Sequence, residues 1–542
     1  MPSRCRAAAV AAVLALAAAG RAQDDAAPVG RLREIVVHTA DVFDAAAARD
    51  SVVQRLINGL HVTTRREVIL RECWLHPGDP VSADQAAELE RNLRRLGLFA
   101  EVEVRLVDVG DGRVDLDVST RDRLSIFFGG GGSYVGGVSG FNAAIGESNL
   151  FGNGDRVDLG FRRDSEGDYR GSLSYRDLHL GDSWLTGTVR LQRTDDGDGA
   201  QLEVIRPFKH LQDPRAWSAT ALFDESAATY YLRGDTAAEV PVRAGRIAGD
   251  LRWAAGPEHA RDTRGVTASF GQRSYDPATG PLAASIRVPG DTADLRLGGL
   301  LQWDRVHDYR KVAGIDTLEY VQDLTLGTRV RLDGGLRLRD EDGRAIEPQP
   351  EASVGAAWAG EPLSHLFVHL GASVAGRWYA GTAQGWSGSA RAQAFWSDAE
   401  RRTLALSATY DAVEEFEDLP PQLTLGEDTG LRGYRAREFT GTRRLRINLE
   451  PRWDTGVGFW TFRFGVVAFA DVGWVGAGSD LGRPYRAAGA GLRVGSKPLL
   501  GSGVVRIDVA RPFDEVPGES RDWSVSISVG QVFTFGGNTS GL

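Results

Sequence analysis

Apolar and polar residues alternate along most of the chain, from about residue 124 to residue 535. In residues 156–162 and 444–452, every second position is apolar and most positions between carry a full charge. A period of two is typical of β-strands, and charges along one whole face cannot pack into a dry core. They are compatible with strands whose charged face lines a water-filled interior and whose apolar face contacts lipid. We therefore expect an antiparallel transmembrane β-barrel over residues 123–542.

The length of this region predicts the size of the barrel. At about 10 residues per spanning strand, plus turns and longer outer loops, it predicts about 16 strands. Closure is expected because an open edge would leave backbone groups unpaired in lipid. A soluble β-sandwich or propeller is the alternative, but aromatic residues near segment ends, such as Trp378 and Trp523, favour a membrane interface.

Residues 33–122 show a different pattern, in which helical and strand periods are mixed. A strand is predicted at residues 34–37, and capping boxes at residues 64–67 and 82–85 predict the starts of two helices. Two alternating strands joined by a glycine-containing turn at residues 110–112 follow. The pattern predicts a compact α+β domain in the order strand, helix, helix, strand, strand.

The N-terminal residues have the character of a targeting segment. Residues 1–22 combine a basic start, an alanine- and leucine-rich core and a small-residue exit, which predicts a secretory signal peptide, followed by a linker at residues 23–32. Cleavage removes Cys5 and leaves Cys73 alone, which excludes an internal disulfide and a multi-cysteine metal site. We expect Cys73 to be a buried structural thiol.

Charge and motif content narrow the function classes. The net charge is -10, and no clustered Lys/Arg tract is present, which argues against a nucleic-acid partner. The sequence lacks a Gly-x-Ser-x-Gly elbow, a P-loop, a His-Glu-x-x-His motif and a dinucleotide fingerprint in a strand-to-helix context. We therefore expect no enzyme activity, no metal and no cofactor, with a barrel-embedded lipase carrying a dispersed triad as the enzymatic alternative.

A long polar segment near residues 417–441 precedes two strands that carry acidic groups on one face. By the alternation, Glu450 faces the lumen in the first strand and Asp471 faces it in the second. If the segment folds inward, Arg432 can reach both carboxylates; the alternative is a solvated surface arginine. The residues of this predicted luminal latch are Arg432, Gly433, Tyr434, Glu450, Phe469, Asp471 and Gly473.

Several of these motifs resemble those of one family. In the small domain, Pro-Gly-Asp at 77–79 and Gly-Leu-Phe at 97–99 resemble a POTRA domain, with an arbitrary α+β domain as the alternative. In the barrel, Leu-Arg-Gly-Tyr at 431–434 and Phe-Ala-Asp-Val-Gly at 469–473 resemble the loop and strand motifs of the BamA/TamA-type outer-membrane assembly family. Residues 148–154 resemble the early barrel turn of that family.

This resemblance covers nearly the whole mature chain and assigns roles within the latch. Arg432 is implied to be the loop-tip guanidinium, Gly433 to allow close backbone approach, and Asp471 to be the partner on the barrel wall. Glu450 is added as a second partner from the alternation alone. The chain has one POTRA-like module, whereas better-known bacterial members carry several.

The two ends of the predicted barrel carry further signals. Residues 528–535 are predicted to form the last strand, and Gly530, Phe533 and Phe535 match a pattern that resembles the C-terminal strand signal of outer-membrane barrels. The chain continues past this pattern to Leu542. Four glycines at residues 129–132 either weaken the first strand or act as a flexible lead-in.

The expected function is assembly or translocation at the bacterial outer membrane. The small domain, in the periplasm, is expected to capture unfolded outer-membrane or secreted polypeptides by backbone pairing at a strand edge. The barrel, in contact with outer-membrane lipid, is expected to insert or export them, and the resemblance implies periplasmic or lipoprotein accessory partners. The alternative is a passive pore with a periplasmic appendage, which predicts steady conductance without clients.

Overall fold

The protein consists of a small α+β domain and a large β-barrel. The structure, a computed structural model, describes residues 28–44, 49, 51–135, 138–164, 169–257, 259–318, 321–343, 346–379, 382–398, 401–414, 418–496, 503–518 and 522–536. The predicted signal peptide at residues 1–22 lies outside them. Among the helices in these ranges, none is long and apolar enough to cross a membrane.

The small domain is built on a four-stranded sheet and three helices. The strands are β1 (Gly30–Ala40), β2 (Pro80–Val81), β3 (Phe99–Gly110) and β4 (Arg113–Asp122), and the helices are α1 (Val52–Leu60), α2 (Arg66–Glu72) and α3 (Ala83–Arg95). The strand order is β2-β1-β4-β3. β1 runs parallel to β4, and β3 pairs with β4 in the antiparallel sense, so β3 is an edge strand.

Helix α3 and the sheet form the core of this domain. The capping box predicted at the start of α3 is confirmed, because the Ser82 hydroxyl accepts from the Gln85 N–H and the Gln85 side chain accepts from the Ser82 N–H. Leu89 and Leu93 of α3 are fully buried in the core. Cys73 is also buried, as predicted, and its burial raises the pKa of the thiol to about 11, which keeps it protonated at neutral pH.

The other predicted capping box, at residues 64–67, is wrong. Helix α2 begins at Arg66, and its N-cap Arg65 makes no side-chain capping hydrogen bond. Thr64 instead donates its backbone N–H and its hydroxyl to the Asp122 carboxylate, at 2.6 and 2.9 Å. Asp122 is fully buried, and satisfying a buried carboxylate takes precedence over a local cap.

Helix α1 is an element that the sequence pattern did not predict. Its nine residues include two consecutive valines and Gly59, all of which lower helix propensity. Ser51 caps its start by accepting a hydrogen bond from the Gln54 N–H, at 3.4 Å.

The barrel is closed, and its described part contains 20 strands rather than about 16. The estimate of 16 assumed longer outer loops, whereas the connections at residues 195–197 and 233–234 are only three and two residues long. Each strand of the ring pairs with the next one along the chain, and the last strand pairs with the first. Its strands are β5 (Ile126–Val135), β6 (Val138–Leu150), β7 (Asp155–Asp164), β8 (Tyr169–Asp177), β9 (Thr186–Thr194), β10 (Asp198–Arg206), β11 (Arg215–Leu232), β12 (Asp235–Ala255), β13 (Ala260–Tyr275), β14 (Thr292–Val312), β15 (Gln322–Glu341), β16 (Glu347–Leu363), β17 (Leu366–Tyr379), β18 (Thr382–Ser397), β19 (Arg402–Glu414), β22 (Arg443–Phe459), β23 (Phe462–Gly476), β24 (Tyr485–Gly495), β25 (Val504–Pro512) and β26 (Ser524–Val529).

Successive residues of the barrel strands point to opposite faces, as the alternation predicted. In β22, Leu449 is exposed on the outside, whereas the next residue, Glu450, is completely buried inside. Outward positions on other strands, such as Leu159 and Ile247, are likewise apolar and exposed. The barrel therefore has an apolar outer surface and a polar interior.

The small domain docks against one end of the barrel, which we call the near end. The early turn at residues 151–154 packs on it, with Asn149 donating to the Thr64 hydroxyl and the Arg65 N–H donating to the Gly152 carbonyl. Glu72 accepts from the Lys209 ammonium at 2.9 Å, and its carboxylate lies 2.8 Å from Nε2 of His179. These contacts hold the domain against several barrel turns.

Candidate functional site

A loop at residues 418–441, between β19 and β22, spans the inside of the barrel. Its Pro420 carbonyl accepts from the Tyr230 hydroxyl on β11, at 3.0 Å. Farther along, Leu425 packs against Gly473 on β23. β11 and β23 are ten strands apart in a ring of 20, so they lie on opposite walls. The loop therefore crosses the lumen and contacts both sides.

The loop has structure of its own, which rigidifies the crossing. Strands β20 (Leu423–Leu425) and β21 (Phe439–Gly441) pair with each other as a small hairpin. Gly430 adopts a φ of 91°, in the left-handed region that favours glycine. Leu425 and Leu431 are fully buried in an apolar cluster between the hairpin and the wall. The hairpin thus presents Arg432 to the wall at a fixed position.

Arg432 is the centre of the first anchor of this loop. Its side chain is 1% exposed. Nε and Nη2 donate to the two oxygens of Asp471, at 2.7 and 2.8 Å, and Nη1 donates to Oε1 of Glu450, at 2.6 Å. A third carboxylate, Asp508 on β25, lies 3.6 Å from Nη1. Three wall strands therefore hold one guanidinium, and its planar fork matches the Asp471 carboxylate.

The other predicted latch residues surround this guanidinium. The Phe469 ring lies beneath it, with 3.5 Å from the ring centroid to Cζ of Arg432. Gly433 has a φ of 89°, and a Cβ there would lie 3.2 Å from the Pro512 nitrogen. The Tyr434 hydroxyl donates to the Arg486 carbonyl at 2.9 Å. The structure therefore brings together all seven residues of the luminal latch: Arg432, Gly433, Tyr434, Glu450, Phe469, Asp471 and Gly473.

A second anchor, which sequence reasoning missed, holds the root of the loop. The Asp418 carboxylate is nearly buried and pairs with Arg339, and it lies 3.1 Å from Nη1 of Arg273. Arg377 and Arg337 extend the cluster at 3.6 and 3.9 Å. The two anchors have opposite polarity: a loop arginine binds an acidic wall, and a loop aspartate binds a basic wall.

Arg452 connects the first anchor to the near end of the lumen. It pairs with Glu450 at 2.9 Å and donates to the Ile315 carbonyl at 2.6 Å and to the Phe533 carbonyl at 3.2 Å. Ile315 belongs to the turn between β14 and β15, which folds into the barrel. One buried network thus runs from Asp471 through Arg432, Glu450 and Arg452 to the near-end segments.

The C-terminal segment is the main departure from the sequence expectation. The predicted last strand at residues 528–535 is wrong beyond Val529, where β26 ends. Gly530 turns the chain with a φ of 95°, and residues 531–536 enter the lumen. Phe533 and Phe535 pack against Phe395 on β18, with ring centroids 5.9 and 5.8 Å from it. Buried aromatic contacts and the Arg452 bond favour this inward path over a longer strand.

The closure between the first and last strands, which we call the seam, is short. β26 pairs with β5 through Val525–Tyr134, Ser526–Ser133 and Ile527–Gly132. By contrast, β5 pairs with β6 over its whole length. The inward turn at Gly530 shortens the ladder that β26 can offer. Gly132 lies within the short ladder, and Gly129–Gly131 lie in β5 beyond it.

No metal site is formed by the described part of the chain, where no three His, Cys, Asp or Glu side chains group suitably. Space remains beside the loop, in a cavity of about 970 Å³ whose lining includes Arg331, Asp411 and Arg444. The site is therefore a set of buried ion pairs that anchor a loop inside the lumen.

No protein-family model matches the chain, and no curated protein matches its sequence. Among solved structures, BamA from Haemophilus ducreyi lacking POTRA domains 1–3 is 14% identical, with 92% of this chain and 84% of that chain covered and a TM-score of 0.39. CdiB from Acinetobacter baumannii is 13% identical, with 93% and 74% covered and a TM-score of 0.41. The FrpB iron transporter from Neisseria meningitidis is 10% identical, with 80% and 87% covered and a TM-score of 0.38.

Proposed function

We propose that this protein is an outer-membrane barrel that captures unfolded β-rich polypeptides with its small domain and inserts or exports them. The occupied lumen is the observation that carries the proposal. The loop at residues 418–441 is anchored to the walls by Arg432 and Asp418, and residues 531–536 fill part of the near end. A passive pore needs a permanently open path, whereas these segments suit a barrel that changes state when a client arrives.

The small domain offers a surface for unfolded chains. β3 pairs with β4 on one side and, within the described residues, with no strand on the other. An edge strand of this kind binds an extended polypeptide through its backbone, with little dependence on the client sequence. The domain sits at the near end, so a captured client starts beside the barrel.

The short seam offers a route from this position into the membrane. Only a few residue pairs join β26 to β5, and interior glycines such as Gly132 weaken a strand further. A client strand could replace this pairing by adding to β5. Export through the lumen would instead require the loop to release both anchors. Insertion therefore depends on opening the seam, whereas export depends on displacing the loop.

The test is the rate at which a urea-unfolded barrel client folds in liposomes. The rate is measured without the protein, with the full chain, and with its Arg432→Ala variant. Arg435→Ala is the matched control, because Arg435 lies on the same loop but pairs with the exposed Asp235 at the rim. We expect the full chain and the control to accelerate folding and Arg432→Ala to lose most of the acceleration.

The destination of the client separates the two routes. An inserted client becomes membrane-embedded and shows heat-modifiable mobility, whereas an exported client becomes protected from protease inside the liposome. No acceleration and no export with several clients, together with steady ion conductance, would establish the passive-pore alternative instead.

A further inference from the structure

Helix α1 turns its apolar face away from the protein. Val52, Val53, Leu56 and Leu60 are between 51% and 71% exposed, and their spacing places them on one side of the helix. The polar side faces inward: the Asn58 amide donates to the Phe43 carbonyl at 2.8 Å and accepts from the Phe43 N–H at 3.1 Å. A helix that packs on the core of a water-soluble domain has the reverse orientation, with its apolar face buried and its polar face exposed.

The helix lies along the rim of the barrel at its near end. On one side the Phe43 ring stacks on Trp460, in the turn between β22 and β23, with centroids 6.4 Å apart. On the other side His61, which directly follows the helix, contacts Asp122 and Ser125 just before β5. The shorter arc between these points contains β24, β25 and β26, and therefore the seam.

Exposed apolar residues continue from the helix onto the barrel at both ends. Phe459 and Trp460 are 75% and 45% exposed beside Phe43. At the other end Val62 and Phe151 are also exposed, and Val62 borders Gly152 in the early turn. Aromatic residues at the ends of barrel strands are typical of a membrane interface. The apolar face of α1 is therefore continuous with the outer surface of the barrel.

The charge of this segment differs from that of the whole chain. Residues 51–66 contain Arg55, Arg65 and Arg66 and no acidic residue, although the chain as a whole carries a net charge of -10. All three arginines are exposed. A helix with an apolar face and basic flanks is typical of segments that lie in the headgroup region of a bilayer containing anionic lipid.

We propose that α1 rests in the membrane leaflet on the near side of the barrel, with its apolar face in lipid, and that Arg55 of α1 and Arg65 and Arg66 at the start of α2 lie against anionic phospholipid headgroups. This inference rests on the proposed membrane location of the barrel. It gives the small domain a second attachment, to lipid, beneath the seam. A second copy of the chain or an unfolded client are the other occupants that could cover the same face.

The test places an environment-sensitive fluorophore at single cysteines in the full chain reconstituted into vesicles. Cys5 and Cys73 are replaced by alanine, and the new cysteines are Leu56→Cys on the apolar face and Gln54→Cys on the polar face. Ile247→Cys, on the exposed outer face of β12, reports whether the barrel is in lipid. Phospholipids with a spin label near the headgroup quench a fluorophore that lies in the membrane interface, and phospholipids with the label on the acyl chain quench one, such as that at residue 247, that lies in the bilayer core.

We expect quenching at residue 56 to be at least two-fold greater than at residue 54, and to fall when phosphatidylglycerol is replaced by phosphatidylcholine. Equal, weak quenching at 54 and 56, with Ile247 quenched, overturns the inference and leaves the membrane barrel intact. A blue shift at residue 56 that appears only at higher protein concentration, without lipid quenching, overturns the inference in favour of a second copy of the chain. A blue shift that appears only when an unfolded client is added, again without lipid quenching, overturns it in favour of the client. An unquenched label at Ile247 overturns the membrane location itself.

Discussion

At the scale of single residues, Arg432 shows how one side chain can fix a loop inside a wet barrel. Glu450 and Asp471 are fully buried, and Arg432 pairs with both of them, whereas Glu450 also pairs with Arg452. A buried ion pair is weak evidence for stability as a whole, but removing one partner leaves an uncompensated charge. The anchor is therefore costly to break, which keeps the loop inside the lumen.

The first prediction is that Arg432→Ala lowers the free energy of unfolding by about 3–5 kcal/mol. Arg432→Lys should lose less, because it keeps the charge but not the paired geometry toward Asp471. The measurement is urea-induced unfolding of the refolded barrel in lipid. The rim control Arg435→Ala should lose less than about 1 kcal/mol, and equal losses for Arg432→Ala and this control would contradict the role of the anchor.

The second prediction concerns Asp418. Asp418→Asn leaves Arg339 and its neighbouring arginines without their shared carboxylate, so the loop root should detach and the lumen should become more positive. We expect higher ion conductance and a shift toward anion selectivity in planar bilayers. Asp304→Asn is the matched control, because Asp304 pairs with Arg329 between two wall strands, β14 and β15, rather than with the loop. If both variants change conductance equally, loop release is not the cause.

These two anchors differ in what the sequence could predict. Glu450 and Asp471 were predicted to face the lumen because a period of two assigns every residue of a strand to one face. Asp418 lies in a loop, where no period applies. Its strand partners Arg339 and Arg273 lie 79 and 145 residues away, so only the closed ring brings them together.

At the scale of elements, the C-terminal segment also shows where an alternating pattern stops predicting the structure. Its alternation predicted a strand to residue 535, yet apolar residues at alternate positions can face lipid or an apolar cluster inside the lumen. Phe533 and Phe535 take the second option and join Phe367 and Phe395. The role of Gly530, Phe533 and Phe535 as a recognition signal stays a prediction, and it would require the segment to be extended before the barrel closes.

The third prediction tests this segment. A chain that ends after residue 529 should conduct ions more readily than one that ends after residue 536, because only the longer chain keeps the aromatic side chains in the near-end lumen. Both chains are refolded in vitro, which removes any dependence on cellular recognition, and are compared in planar bilayers. Indistinguishable conductance would mean that the segment does not block the path.

At the scale of the whole molecule, the lumen is occupied in two layers and the small domain covers the near end. The loop at residues 418–441 forms one layer, and the turn at Ile315 with residues 531–536 forms the other. Arg452 bonds to the second layer through the Ile315 and Phe533 carbonyls, and it shares the wall carboxylate of Glu450 with Arg432 of the first layer. Displacing either layer therefore disturbs a carboxylate that both arginines bind, so we expect the two layers to move together rather than independently.

The fourth prediction is that acid releases the small domain from the barrel. Burial opposes the ionisation of Glu72, but its hydrogen bond with His179 and the Lys209 ammonium outweigh burial and hold the pKa of Glu72 below its ordinary value of 4.5. The pKa of Glu90 is lowered in the same way, against burial, by Lys311 and Arg94. A carboxylate whose pKa is lowered on docking stabilises the docked state fully above its ordinary value, and this contribution is lost as pH falls through the lower docked value.

Pulsed electron–electron distance measurements between spin labels at Val107→Cys on β3 and Leu180→Cys on a near-end turn can follow this release. We expect one narrow distance distribution at pH 7 and a broad one as the pH falls below 4.5. Glu72→Gln should broaden the distribution already at pH 7, because the Lys209 ammonium then lacks its carboxylate. Glu103→Gln, which removes a carboxylate paired with Arg105 on the same strand, should leave it narrow. A narrow distribution retained in acid, or in Glu72→Gln, would show that the hydrogen bonds at the early turn hold the domain without these ion pairs.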